Sequence, residues 1–186
     1  MIPIGYMAKR VLLRPDWLKT TRVTEIYSVS PCLSPNFADF IPYWQHNGWW
    51  FFDSPKIIKD LAQAQAIDLT ETTLFYYEAY PLQANTETGV WESFAPEPSF
   101  KTELQVPQQK QLRGFDLVSF NCQTSPECSY LSCNQMADQI QVNSFCLLES
   151  LESAKNLLKS GAFKNCEPGP CRIFAVYTLP DTFWPG

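Results

Sequence analysis

The chain holds one imidazole and seven thiols, so nucleophilic chemistry of the cysteine–histidine kind can be built in few ways. Any such arrangement must use His46, with Cys32 upstream as the nucleophile and Asp39 between them to orient the ring. Cys32 has a counterpart 96 residues later in Cys128, which makes Cys32, His46 and Cys128 the candidate catalytic residues. Val142 stands where a second histidine would fall and Gln135 where a second Asp39 would fall, so any triad is one-sided. A histidine in a surface turn is far commoner than a catalytic one, and the balance leans towards a protein that is not an enzyme.

Two further cysteine pairs, Cys128-x4-Cys133 and Cys166-x4-Cys171, supply four thiolates, the number a tetrahedral zinc site needs. Four intervening residues is the outer edge of knuckle spacing, and Cys171 opens a predicted strand. Small thiols packed as apolar side chains explain them better, so no metal is expected. The seven glycines are scattered and match no phosphate-binding fingerprint, so no cofactor is expected either. Asp53 and Glu149 each precede a serine at a helix start, where a carboxylate favours the positive helix terminus without doing chemistry.

Two stretches must position these groups. One is Asn47-Gly48-Trp49-Trp50-Phe51-Phe52-Asp53-Ser54-Pro55, and the other, 96 residues on, is Asn143-Ser144-Phe145-Cys146-Leu147-Leu148-Glu149-Ser150-Leu151. Each reads as a turn asparagine, a short apolar strand, an acidic residue and a serine that caps an amphipathic helix. Ile57, Ile58, Leu61 and Ala62 line one stripe of the first helix, and Leu151, Ala154, Leu157 and Leu158 one stripe of the second, which Gly161 can end. The same spacing also repeats Cys32/Cys128, Gln45/Gln141, Lys59/Lys155, Leu61/Leu157, Ala66/Ala162 and Glu71/Glu167. The pattern predicts an internal duplication, with copies over 23–82 and 115–179 and an insertion over 83–114.

Around those stretches, residues 7–14 predict a first strand ended by Pro15, and residues 23–30 a second closed by Pro31. Ser34-Pro35 predicts a short helix carrying Phe37, Phe40, Ile41 and Trp44. Strands are predicted at 49–52, 74–80, 115–120, 145–148 and 172–177, edge strands at 90–94 and 102–106, and a short helix near 135–140. The expected fold is α+β in one domain over 1–186. Two β-α-β-α-β units share one core and a mostly antiparallel or mixed sheet.

Strand 74–80 alternates Phe75, Tyr77 and Ala79 on one face with Tyr76, Glu78 and Tyr80 on the other. If nothing covers the second face, it presents phenols beside an acid, a composition suited to a protein interface. Tyr76, Glu78 and Tyr80 are therefore candidate binding residues. Asn47 and Asn143 join them, at the turns nearest any axis between the copies.

At 186 residues, 45% hydrophobic and 18% charged, the chain can bury a core without staples. A net charge of −5 with no cluster of Lys and Arg argues against nucleic acid and makes a basic protein partner easier to accommodate. No run approaches the roughly 18 apolar residues of a membrane span, and the N-terminus lacks a secretory pattern, so a cytoplasmic protein with mostly reduced cysteines is expected. Self-association into a homo-oligomer is left open. Two function classes follow. The first is a non-enzymatic protein-binding module of the inhibitor or immunity type. The second is a thiol-dependent enzyme or small-ligand binder with its site between the two copies.

Overall fold

Runs of aromatic and β-branched residues favour a pleated backbone, and the longest runs in this chain lie side by side. A computed structural model of the protein describes residues 1–33, 49–94, 103–120 and 127–180. Four long strands, β1 (Ile2–Arg10), β4 (Thr72–Asn85), β6 (Gln111–Ser119) and β7 (Pro170–Thr178), pair antiparallel in the order β1-β4-β7-β6. A fifth, β5 (Trp91–Ser93), adds to the far end of β4, while β2 (Leu12–Leu13) and β3 (Glu25–Ile26) form a separate ribbon. With helices α1 (Pro55–Gln65) and α2 (Leu151–Ser160), the architecture is α+β around an antiparallel sheet.

The central pair explains the tyrosine-rich strand. Phe75, Tyr76, Tyr77 and Ala79 of β4 are all buried, as are Ile173, Phe174, Ala175 and Val176 of β7, because both faces of the sheet's middle are covered. β4 was expected to stop at Pro81, but it runs on to Asn85. The register with β7 slips between Ala79 and Gln83, and an irregularity there removes the need for the N–H that proline lacks.

Both helices form for local reasons. Ser54 is extended (φ −154°, ψ 157°) and its Oγ accepts from the Ile57 N–H, with Pro55 in the first turn. Ser150 (φ −143°, ψ 152°) accepts from the Ser153 N–H. Each helix ends on a left-handed residue, Ala66 or Gly161, whose N–H reaches back to two carbonyls of the last turn. α1 buries Ile58 and Ala62, Ile58 in a cluster with Ile4, Tyr6 and Phe52, and α2 buries Ala154 and Leu158 in a cluster with Phe115, Leu117 and Ile173.

Several expected elements differ. The predicted strands at 49–52 and 145–148 are turns, because Trp50 (φ 70°) and Cys146 (φ 61°) sit in the left-handed region, which no strand tolerates. Each turn touches the sheet through one bridge, Phe52 to Tyr6 and Leu148 to Phe115. The first strand spans 2–10 instead of 7–14, and 23–30 contributes only the two residues of β3. The helix expected near 135–140 is a single 3-10 turn, Met136–Asp138. Residues 103–106 pair with no strand; Gln105 instead donates its N–H to the Asp53 carbonyl and accepts the Tyr6 hydroxyl at 2.6 Å. The helix expected after Ser34 lies outside the described residues, as do Asp39, His46 and Asn47.

Candidate functional site: three thiols above two buried charges

The site starts from two charged residues that strands carry into the core. Asp116 of β6 is fully buried, where an unpaired carboxylate would cost several kcal/mol. It is satisfied by four donors: the Ser28 hydroxyl (3.1 Å), the Val29 N–H (2.8 Å), the Leu117 N–H (2.9 Å) and the Ser129 hydroxyl (2.6 Å). Burial pushes its carboxyl upward from the ordinary range, and the four donors oppose that push. Lys9 of β1 is also buried, and its Nζ donates to the Ser30 carbonyl (2.8 Å) and the Ser28 carbonyl. Desolvation lowers the Lys9 ammonium to about 8, against the pull of Asp116. Both charges therefore clamp the segment 28–30, and Asp116 ties it to Ser129.

That clamp fixes the thiols. Ser30 Oγ accepts from the Cys32 N–H at 3.2 Å and donates to the Glu127 carbonyl, which sets the 3-10 turn Pro31–Leu33. Across from it, Ser119 at the end of β6 donates its N–H to the Cys128 carbonyl (2.9 Å), and its Oγ accepts from the Cys128 N–H (3.2 Å). The turn after Ser129 then brings Cys133 back, with its Sγ 3.6 Å from Ser30 Oγ. Cys32 and Cys128 Sγ lie 3.7 Å apart, and the sulfurs of Cys32, Cys128 and Cys133 all lie within 4.8 Å of one another. Cys32 is exposed and the other two are half-buried.

The three sulfurs differ in acidity. The neighbouring Cys133 is the largest influence on Cys32, and with Ser30 and Cys128 it lowers that thiol to about 5, against partial burial. The same proximity to Cys32 raises the Cys133 thiol, and burial adds to the effect. Cys128 is pushed up first by burial and then by the neighbouring Glu167. Of the three thiols, the exposed Cys32 is thus the most acidic.

The structure brings the sequence candidates Cys32 and Cys128 together, with Cys133 beside them, while His46 and Asn47 lie outside the described residues. Cys166 and Cys171 do not join the cluster, since Cys171 is buried in β7, so the four thiolates of the two pairs do not form one site. Tyr76 and Glu78 lie on the opposite face of the sheet from Asp116 by strand alternation. Lys110 fills the space above them: it ion-pairs with Glu78 and sits 4.8 and 4.6 Å from the ring centres of Tyr76 and Tyr177. Tyr76 is wholly buried and Tyr80 turns aside to meet Trp91 edge-on. Asn143 staples its own turn, accepting from the Phe145 and Leu147 N–H groups and donating to the Arg113 carbonyl. Sequence reasoning missed Lys9, Ser30 and Asp116, because nothing local marks a partner 21 or 87 residues away.

No protein family, curated protein or solved structure matches the chain. Among the described residues, no helix is long and apolar enough to cross a membrane.

Proposed function

We propose that the protein works through a Cys32–Cys128 dithiol that exchanges electron pairs with disulfides, at a site between two related half-chains. The observation that carries this reading is the 3.7 Å contact between an exposed sulfur and a half-buried one, held by loops that buried groups fix. The Cys32 sulfur attacks one sulfur of an incoming disulfide, a mixed disulfide forms, and the other sulfur leaves as a thiolate that takes up a proton. Cys128 then loses its proton and attacks the Cys32 sulfur, which releases the second thiol. The substrate gains two electrons and two protons, and the two cysteines become one disulfide. Cys133 stays out of the exchange and orients Cys32.

The duplication is part of the proposal, and several paired features support it. At the spacing of 96 the chain matches Trp50 with Cys146, both left-handed, Phe52 with Leu148, both bridged to an edge strand, and Ser54 with Ser150, both helix caps. β1 and β6 also correspond, Gly5 with Gly114, but at a wider spacing than 96, which moves the start of the first copy from residue 23 back to residue 2. The thiols then lie where the copies meet, Cys32 from one and Cys128 from the other. A reducing compartment such as the cytoplasm would keep the dithiol loaded. A protein-binding module has less support, since Lys110 occupies the tyrosine face that would serve it.

The test is to treat reduced Cys128→Ser protein with oxidised glutathione and map the adduct by mass spectrometry. The expected result is a stable mixed disulfide on Cys32, whereas the wild type under the same conditions passes on to an internal bond. A wild-type protein that stops at a single glutathione adduct on Cys32, or a Cys128→Ser variant that forms no adduct there, would overturn the reading.

A further inference from the structure

Three sulfurs within one small volume can do what two cannot, which is to surround an ion. Zn2+ in protein sites binds thiolates at about 2.3 Å in a tetrahedron, which puts neighbouring sulfurs about 3.8 Å apart. The Cys32–Cys128 separation of 3.7 Å is already that distance, and Cys133 is near enough to complete the set with a movement of an ångström or less, every sulfur lying within 4.8 Å of the others. Among the described residues this is the one group of three cysteine, histidine or carboxylate side chains whose ligand atoms converge in this way.

We infer that Cys32, Cys128 and Cys133 form a three-thiolate seat for Zn2+, with the fourth coordination position open towards solvent on the side of the exposed Cys32. The donor set decides the class of ion. Thiolates select soft or borderline metals, while Mg2+ and Ca2+ require oxygen ligands that this cluster does not offer. The supports around the ligands are also those a metal site uses. The Cys32 and Cys128 N–H groups are held by Ser30 and Ser119, and Ser30 Oγ also meets Cys133 Sγ at 3.6 Å. Lys9 is buried beneath the turn that carries Cys32, where its charge offsets the net negative charge of Zn2+ with three thiolates. Of the carboxylates around the cluster, Asp116 is already committed to four donors and Glu167 accepts from Ser119 Oγ, so neither is needed as a ligand.

This inference rests on the thiol reading above and adds a consequence to it. Two of the three ligands are the sulfurs that form the disulfide, so zinc and the disulfide exclude each other. Oxidation of Cys32 and Cys128 by a disulfide acceptor removes two ligands and expels the ion, and reduction restores the seat.

The experiment uses Co2+ as a spectroscopic stand-in for Zn2+, added to the reduced protein without oxygen. One equivalent should develop a sulfur-to-cobalt charge-transfer band, and Zn2+ should abolish it by displacement. The band should be lost in Cys133→Ser, a variant that keeps the redox pair, and lost in wild-type protein first oxidised with oxidised glutathione. Circular dichroism of each variant checks that it folds, and Cys32→Ser serves as a second ligand deletion if Cys133→Ser does not. Absence of the band in reduced wild type, or its persistence in both variants, would overturn the metal site. If Cys32 and Cys128 still join on oxidation while no cobalt binds, the metal inference falls alone. If cobalt binds but no internal disulfide forms, the seat stands and the redox reading falls.

Discussion

The two edge strands follow similar paths and carry different chemistry. β1 and β6 each slip register just before a glycine, Gly5 (φ 129°) in one and Gly114 (φ 146°) in the other, and each then bridges to a residue two positions before a helix-capping serine. Two residues after the glycine, β1 has Met7 and β6 has Asp116; four residues after it, β1 has Lys9 and β6 has Val118. Each strand thus buries one charge where the other is apolar, and both charges hold the segment 28–30 that leads to Cys32. The lesson is that a shared backbone course leaves the chemistry free: a thiol site arises where two unlike side chains of like strands converge on one loop.

The comparison predicts that the two charges are unequal, because Asp116 accepts from four donors and Lys9 serves two carbonyls. Asp116→Ala should have the largest effect, about 3–5 kcal/mol by urea denaturation, since it strands several buried donors together. Asp116→Asn, which keeps acceptor capacity at one oxygen, should cost less. Equal losses would mean that the carboxylate's bonds do not hold the loop.

Next in size is the glycine at the slipped register of β6. A Cβ at Gly114 would lie 2.7 Å from both Leu147 Cβ and the Leu148 carbonyl oxygen, at a φ that side chains rarely adopt. Gly114→Ala should cost about 1–3 kcal/mol in backbone strain, with steric collision added. At Gly89 a Cβ meets nothing within 4 Å, so Gly89→Ala carries the strain alone and should cost less. A milder effect at Gly114 than at Gly89 would contradict the close approach of the Leu147–Leu148 segment to β6.

The helix caps come third. Ser54→Ala and Ser150→Ala should each cost about 0.5–2 kcal/mol. Ser150 should be the larger, because its bond from Ser153 N is 3.1 Å, against 3.4 Å from Ile57 N to Ser54. Thermal unfolding of the two variants measures the order directly.

Lys9→Met should have the smallest effect near neutral pH, about 1 kcal/mol or less, because relief of a buried ammonium offsets the loss of two hydrogen bonds. Its signature lies in the pH dependence. Folding lowers the Lys9 ammonium from 10.5 to about 8, so between those values the unfolded chain binds more protons and Lys9 makes stability rise with pH. Subtracting the Lys9→Met profile from the wild type should reveal that rise. A flat difference between pH 8 and 10.5 would mean that folding does not depress the Lys9 ammonium.

What could be read in the sequence follows from how local each cause is. Ser54-Pro55 and Ser150 announce their helices because capping is settled within four residues, and the strands at 74–80, 115–120 and 172–177 follow from runs rich in aromatic and aliphatic residues. The runs 49–52 and 145–148 look the same on paper but are turns, since a left-handed Trp50 or Cys146 leaves no mark in composition. β1 was placed too late because Pro3 and Gly5 look like breakers, whereas the register shift between them absorbs both. For the site, the spacing of 96 pointed to Cys32 and Cys128 as a pair. The spacing Cys128-x4-Cys133 also names two sulfurs that meet, but their third partner is Cys32 and not Cys166 or Cys171, because the contact of Cys133 with Ser30, 103 residues earlier, leaves no local mark.

The most direct test of the account is the disulfide that the wild-type protein forms at equilibrium in a glutathione redox buffer, identified by proteolysis and mass spectrometry. The account predicts a bond between Cys32 and Cys128, with Cys146 and Cys171 recovered as unmodified thiols because both are buried. A bond from Cys32 to any cysteine other than Cys128, or a protein whose Cys32 and Cys128 remain unpaired across the whole range of buffers, would contradict it.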